Sequence, residues 1–134
     1  MIIISSLSFL FDHHESLGKK GERLAGSYLK KKGFRILETN YRNPTGKQLG
    51  EIDIVAQKEG VIIFVEVKTR QGDAKNTFPE DNLTPAKLGK LERIATHFLQ
   101  SKNLRDAPYH FDAVTVLFDA NHKASFQHFE HLFF

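Results

Sequence analysis

Three ionisable residues interrupt two otherwise apolar runs near the middle of the chain. Asp53 lies in G-E-I-D-I-V-A, and Glu66 and Lys68 lie in V-I-I-F-V-E-V-K. The second run is apolar on both faces, which is typical of an interior strand, and like charges buried there need a compensating cation. Carboxylate oxygens suit Mg²⁺ or Mn²⁺. The pattern therefore predicts a divalent-metal site beside a lysine, and the alternative is a solvated hairpin face.

The turn K-E-G at 58–60 joins the two runs. A two-residue turn with glycine second places Val55 opposite Phe64 and Asp53 opposite Glu66. Opposed residues of antiparallel strands have Cβ atoms roughly 4.5–5.5 Å apart, so these two carboxylates could share one cation. A loop one residue longer would give a diagonal pairing that is less compact.

An amphipathic helix is predicted from Ser16 to Lys32, with Ser16 as the N-cap and Gly33 as the stop. Glu22 falls at the edge of its apolar arc, from which it would face along the core boundary. Glycine is unfavourable within a helix. The three glycines of this segment are Gly18, Gly21 and Gly26. They are explained either by a close approach of the helix to another backbone or to a phosphate, or by simple tolerance.

Thr84-Pro85 is a helix start with threonine at the N-cap and proline at N1. Lys87 lies beside the buried stripe of that helix, so it either points toward the site or extends to solvent. The polar stretch after Lys68 predicts a long loop, in which Arg70 and Lys75 place positive charge close to the hairpin end.

The C-terminal part is predicted to form a strand over 108–118 and a last short strand or helix. Asp112 is the only charged residue of that strand, and it would lie near the hairpin carboxylates, cap the strand or pair with an arginine. His128 and His131 have a spacing that could bind a metal on a helix, but the sequence shows no third ligand near them.

Composition limits the classes of protein to consider. The 134 residues carry a net charge of +3, with a pI of about 9.2, which is compatible with a nucleic-acid partner. Cysteine is absent, which excludes disulfide scaffolds, thiolate zinc sites and cysteine nucleophiles. The apolar start lacks a basic region and is too short to span a bilayer, so we expect a cytoplasmic protein without a membrane partner.

The predicted elements follow the order helix, three strands, helix, strand and a short terminal element. We expect residues 1–15 to form an N-terminal arm and residues 16–134 to form a single α/β domain, with a mixed sheet flanked by helices.

With these residues placed, the chain resembles the PD-(D/E)XK nuclease superfamily, which has the restriction-endonuclease-like fold, and looks closest to its YraN-like group, related to Holliday-junction resolvases. The motifs that carry the resemblance are G-K-K-G-E at 18–22, N-Y-R at 40–42, G-E-I-D at 50–53, F-V-E-V-K at 64–68, T-P-A-K at 84–87 and F-D-A-V at 111–114. The resemblance implies that Asp53, Glu66 and Glu22 bind Mg²⁺ or Mn²⁺ and that Lys68 is the active-site lysine. The superfamily's proline is absent, and Glu51 would compete with Asp53 or pair with Lys68.

The resulting hypothesis is metal-dependent endonucleolytic hydrolysis of DNA, including branched DNA, with DNA favoured over RNA and a homodimer implied by the resolvase resemblance. Flanking phosphates would be held by four basic residues, which are Arg70, Lys75, Lys87 and Lys90. The alternatives are a non-catalytic nucleic-acid-binding module with the same fold, and an interaction protein in which the hairpin charges form a salt-bridged cluster.

Overall fold

A computed structural model describes residues 15–42, 50–72 and 84–132. The elements are helix α1 (Leu17–Lys31), strands β1 (Arg35–Arg42), β2 (Glu51–Lys58) and β3 (Val61–Gln71), helix α2 (Pro85–Ser101), and strands β4 (Tyr109–Phe118) and β5 (Ala124–Phe129). Their order is the predicted one, and the terminal element is a strand. The predicted N-terminal arm falls almost entirely on residues 1–14, which lie outside the described part of the chain, as does Lys75.

The five strands form one mixed sheet in the order β1-β2-β3-β4-β5. All neighbours are antiparallel except β3 and β4, which are parallel because α2 carries the chain from the end of β3 back to the start of β4. The β2–β3 ladder pairs Val55 with Phe64, as a two-residue turn requires, and ends toward the site with Ile54 opposite Val65. The predicted hairpin register is therefore confirmed over this ladder.

Both helices begin where the sequence predicts. The Ser16 hydroxyl accepts a hydrogen bond from the Lys19 amide, and the Thr84 hydroxyl accepts one from the Lys87 amide. At the other end of α1, Gly33 takes a φ of 93°, the left-handed conformation that ends a helix at low cost.

The sheet is covered on both faces, so the interior position predicted for β3 is confirmed. Ile63 and Val65 pack in a cluster with Ala25 and Leu29 of α1. Alternate residues of the same strand pack with α2, where Phe64 joins Ile94, Phe98 and the strand residue Phe111. Ionisable groups on the site end of β3 are thus held at the edge of two apolar layers.

The predicted loop after Lys68 starts too early. Strand β3 continues through Thr69 and Arg70 to Gln71, because these residues pair with β4 as far as Phe118. Polar composition alone missed this extension, since backbone pairing with an established neighbour does not require apolar side chains. Arg70 is therefore a strand residue, not a loop residue.

Candidate metal centre

Strand β2 loses its regular alternation at Asp53. Ile52 and Ile54 are two residues apart, yet Ile52 packs in the α2 cluster and Ile54 in the α1 cluster. In a regular strand they would share a face. The neighbouring strand is also irregular there, because Asn40, which lies between the residues paired with Ile52 and Ile54, has a φ of 52°. The local distortion sets the direction of the Asp53 carboxylate.

The Asp53 carboxylate extends across the hairpin to the backbone of β3. Its Oδ2 accepts a hydrogen bond of 2.8 Å from the Val67 amide. This bond lies just beyond the last ladder pair, where Asp53 and Glu66 would otherwise meet. A charge-assisted bond to a backbone amide fixes the orientation of the aspartate without a side-chain partner.

Three carboxylates converge at this point. Oxygen atoms of Glu22 from α1 and of Glu51 and Asp53 from β2 all lie within 4.8 Å of one another. All three side chains are partly buried. Carboxylate oxygens at such separations form a hard-donor set, which suits a divalent cation of the Mg²⁺ or Mn²⁺ type.

The position of Glu22 follows from an unusually close contact between α1 and the sheet. A Cβ atom added at Gly21 would overlap the Thr69 hydroxyl, so only glycine lets the helix approach β3 this closely. Gly21 therefore has a packing role, although the contact is with the Thr69 side chain and not with another backbone or a phosphate. For Gly18 and Gly26 an added Cβ meets nothing within 4 Å.

The electrostatics of Asp53 indicate that negative charge is uncompensated. Burial raises the pKa of Asp53 from 3.8 to about 6, against the lowering effect of the Val67 amide. The charges of Glu22, Glu66 and Glu51 contribute to this rise in the pKa. A carboxyl with such a pKa is stabilised as the anion when a cation binds beside it. The donor set and the raised pKa together fit a divalent metal ion.

Glu66 has a different environment. Its Oε1 lies 2.8 Å from Lys87 Nζ and 3.2 Å from Lys68 Nζ. Burial would raise the pKa of Glu66, but the hydrogen bond from Lys87 and the charge of Lys68 together hold the pKa below its ordinary value. Lys87 thus points toward the site, which confirms one of the two alternatives considered for it.

The described part of this centre lies within a region shared with other proteins. The model of the uncharacterised protein family UPF0102 matches residues 21–116. The chain belongs to this family. A UPF0102 protein of Alkaliphilus metalliredigens is 44% identical over 77% of this chain and 86% of its own length. One of Desulfitobacterium hafniense is 40% identical, with 78% and 84% covered, and one of Flavobacterium psychrophilum is 39% identical, with 90% and 96% covered.

UPF0102 is the YraN family, so the predicted family is confirmed, and the mixed sheet flanked by two helices agrees with the restriction-endonuclease-like fold that the resemblance implies. Family membership establishes no named function. None of the helices in the described ranges is long and apolar enough to cross a membrane.

Among the predicted site residues, the structure brings together Asp53 and Glu22, and places Glu66, Lys68 and Lys87 in a second group joined by ion pairs. The other two described basic residues stand apart from these contacts. The Arg70 guanidinium bonds the Thr69 carbonyl, and Lys90 is exposed on α2.

Glu51 is the member of the carboxylate cluster that the predicted site omitted. Of the two alternatives considered for it, pairing with Lys68 is not seen among the described contacts, where Glu51 Oε2 accepts a hydrogen bond of 2.8 Å from Arg42 Nε. The signal available in the sequence was its position two residues before Asp53, on the same face of a regular strand. That position is equally compatible with competition between Glu51 and Asp53 for the ion.

Asp112 has partners that the sequence did not suggest. It is almost fully buried, and its carboxylate lies 2.7 Å from His110 Nδ1 and 2.7 Å from His128 Nε2. No arginine is involved among the described contacts. Burial raises the pKa of Asp112, but the hydrogen bonds from His128 and the His131 amide outweigh this effect and lower it.

These contacts also bear on the metal-binding alternative considered for His128 and His131. His128 lies on strand β5 and not on a helix, and its other ring nitrogen, Nδ1, lies 3.1 Å from Lys32 Nζ. An ammonium has only protons to donate, so Nδ1 must accept and Nε2 must carry the proton that faces Asp112. Both ring nitrogens are then engaged, which favours a structural hydrogen-bond network here over a metal site.

Proposed function

We propose that this protein is a metal-dependent endonuclease that hydrolyses phosphodiester bonds in DNA. The observation that carries the proposal is the convergence of the Glu22, Glu51 and Asp53 oxygens within 4.8 Å, at a carboxyl whose pKa burial has raised. Two ammonium groups stand nearby on Lys68 and Lys87. Carboxylates with adjacent lysines are the groups that metal-assisted phosphate hydrolysis needs.

Glu22, Glu51 and Asp53 would hold Mg²⁺ or Mn²⁺. When bound, such an ion lowers the pKa of a coordinated water and neutralises charge on a phosphate. Glu66 is a fourth proposed ligand: both of its ion pairs use Oε1, and its charge already contributes to the raised pKa of Asp53. Its Oε2 is engaged in neither of these two contacts.

The lysines have a separate role in this proposal. The ion pair holds the Lys68 ammonium beside Glu66, from which it would orient the attacking water or the scissile phosphate. Lys87 reaches the same carboxylate from the first turn of α2, so it would bind a phosphate oxygen on the other side of Glu66. Neither lysine would read bases, and cleavage would be independent of sequence.

The test is cleavage of four-way junction, flapped, duplex and single-stranded DNA, and of matched RNA, in Mg²⁺ or Mn²⁺. Asp53→Asn and Lys68→Met should abolish cleavage, whereas Glu92→Gln, an exposed change on α2, should leave it intact. Activity that survives in both site variants belongs to a contaminant. The absence of any metal-dependent cleavage by the unaltered protein contradicts the proposal.

A non-catalytic nucleic-acid-binding module is the second candidate, and the double ion pairing of Glu66 favours it. A carboxylate neutralised by two lysines resembles a structural ion-pair network as much as a metal ligand. Calorimetric titration with Mn²⁺ separates the possibilities. Metal-independent DNA binding without cleavage supports the nucleic-acid-binding module. If the protein binds neither metal nor DNA, the result favours a salt-bridged interaction protein.

The proposed substrate also bears on assembly. Four-way junctions are symmetric, so an enzyme that cuts two symmetry-related strands of one junction acts as a homodimer. Solution mass measurements with and without a four-way junction would detect such a dimer. A protein that stays monomeric on the junction would favour substrates with one cleavage site, such as flaps.

A further inference from the structure

A groove of about 370 Å³ runs from the carboxylate cluster along helix α1. One wall is α1 itself, and the other is formed by β1, including Ile36, Thr39 and Asn40. Glu22 and Asp53 line one part of the groove, which is therefore continuous with the candidate metal centre.

The helical wall is a single stripe of α1. Its members are separated by three or four residues, the spacing of one helix face, and they are Lys19, Glu22, Arg23, Gly26, Ser27 and Lys30. From Lys19 to Lys30 the stripe rises over roughly 16 Å, at 1.5 Å per residue. Three of the six residues are cationic, and the two smallest, Gly26 and Ser27, lie between Arg23 and Lys30.

Gly26 has no packing role within the described structure. An added Cβ meets nothing within 4 Å, in contrast to Gly21, where it would overlap Thr69. Glycine is among the poorest helix formers, and an alanine would fit at this position in the free protein. The open surface that Gly26 leaves in the middle of the stripe is therefore available to something outside the chain.

The cations of the groove are paired in a way that a phosphate can replace. Arg23 Nε and Nη2 lie 2.9 and 3.0 Å from the Glu15 carboxylate, and Lys19 Nζ lies 3.1 Å from the Asn40 side chain and 3.3 Å from Glu22. Both cations are more than half exposed. Exposed ion pairs are weak, so a phosphate anion competes with them effectively.

We propose that this groove binds one single strand of nucleic acid, with its phosphates on Lys19, Arg23 and Lys30 and its path leading to the carboxylate cluster. A cleft of this volume is the size of a small-ligand site, which is too small to enclose a duplex. The proposal rests on the proposed nuclease function and narrows its substrates to those with a single-stranded segment next to the scissile bond, such as a flap or an open branch.

The first test compares leucine at two glycines of the same helix. Gly26→Leu fills the groove, whereas Gly18→Leu adds the same side chain at an equally open position outside it. Leucine favours helix over glycine, so neither variant should lose stability. Fluorescence anisotropy with labelled oligodeoxythymidine, in EDTA and separately in Ca²⁺, should show a loss of at least about tenfold in affinity for Gly26→Leu, because the side chain occupies the path of the strand. Gly18→Leu should match the unaltered protein.

The second test counts the phosphate contacts. Three neutralised phosphates on a single strand predict a slope of about −2 in a plot of log affinity against log salt, at about 0.7 per contact. Lys30→Gln should reduce the slope by about 0.7 and the affinity about fivefold at 0.1 M salt. Lys31→Gln, an exposed change outside the groove, should do neither.

These experiments test the proposed groove separately from the proposed nuclease activity. Binding that is lost in Gly26→Leu supports the groove even where no cleavage occurs. Equal affinity of the unaltered protein, Gly26→Leu and Gly18→Leu overturns it, even where cleavage is robust and depends on Asp53. Blunt duplex bound as tightly as the single strand, with the same sensitivity to Gly26→Leu, also overturns it, as does an absence of binding in both EDTA and Ca²⁺.

Discussion

Replacing Asp53 with asparagine should make the metal-free protein more stable at neutral pH. The pKa of Asp53 is raised from 3.8 to about 6 in the folded state, so the folded protein holds this proton more tightly than the unfolded chain does. A difference of about 2 pKa units corresponds to about 3 kcal/mol at a pH above both values. Asparagine keeps the size of the side chain, and its carbonyl oxygen can still accept the hydrogen bond from the Val67 amide.

The sign of the pH dependence follows from the raised pKa. Below pH 3.8 the carboxyl is protonated in both states, and Asp53 costs the folded protein nothing. As the pH rises toward 6 the unfolded chain releases the proton first, so this contribution to the free energy of unfolding is lost. Asparagine does not titrate. The advantage of Asp53→Asn should therefore grow by about 3 kcal/mol between pH 3.5 and pH 7.5.

Urea denaturation in EDTA at these two pH values measures the effect, with Glu92→Gln as the control for loss of an exposed charge. Mn²⁺ at pH 7.5 and about 1,000 times its dissociation constant should then reverse the order, since an ion at that concentration adds about 4.1 kcal/mol to the unaltered protein only. A difference that is independent of pH, or an asparagine variant that is less stable at pH 7.5 in EDTA, would refute the account of Asp53 as an uncompensated buried charge.

Two further predictions concern the elements that position the site. Gly21→Ala should destabilise the protein by about 1–3 kcal/mol in urea denaturation, because the methyl group forces α1 away from Thr69. Gly18→Ala should instead increase the free energy of unfolding by up to about 1 kcal/mol. Equal effects at the two glycines would contradict the close contact. Lys87→Met should raise the pKa of Glu66, as followed by carbon NMR of its carboxyl. The free energy of unfolding should then fall less in the variant than in the unaltered protein as the pH drops below 4.5. An unchanged pKa would show that Lys68 alone is enough to lower the pKa of Glu66.

The hairpin register could be predicted because its determinants are local. The turn E-G fixes which residues pair, and alternating faces follow from strand geometry, so Val55 and Phe64 could be placed opposite each other from sequence alone. The same holds for the caps at Ser16 and Thr84, whose side chains bond amides three residues away. Each of these features depends on a few neighbouring residues.

The remaining features depend on contacts between distant parts of the chain. The change of face at Asp53 accompanies an irregular neighbouring strand, where Asn40 has a positive φ, and no pattern within β2 reveals it. The pairing of Asp112 with His128 requires the β4–β5 ladder to be known first. The length of β3 depends likewise on its parallel pairing with β4.

The division of charge at the site is the strongest physical argument that its carboxylates are not all structural. Asp53 precedes Ile54 and Glu66 follows Val65, the two partners of the last ladder pair. Two lysines neutralise Glu66, whereas Asp53 has a backbone amide and three carboxylates around it. A protein selected for stability alone would place a cation beside Asp53 or replace it with a neutral residue, since burial of like charges is costly. Because Lys68 lies close enough to pair with Glu66, a side chain that could compensate this charge is already near. Under the proposed function, a divalent cation taken from solution would compensate the negative charge at Asp53.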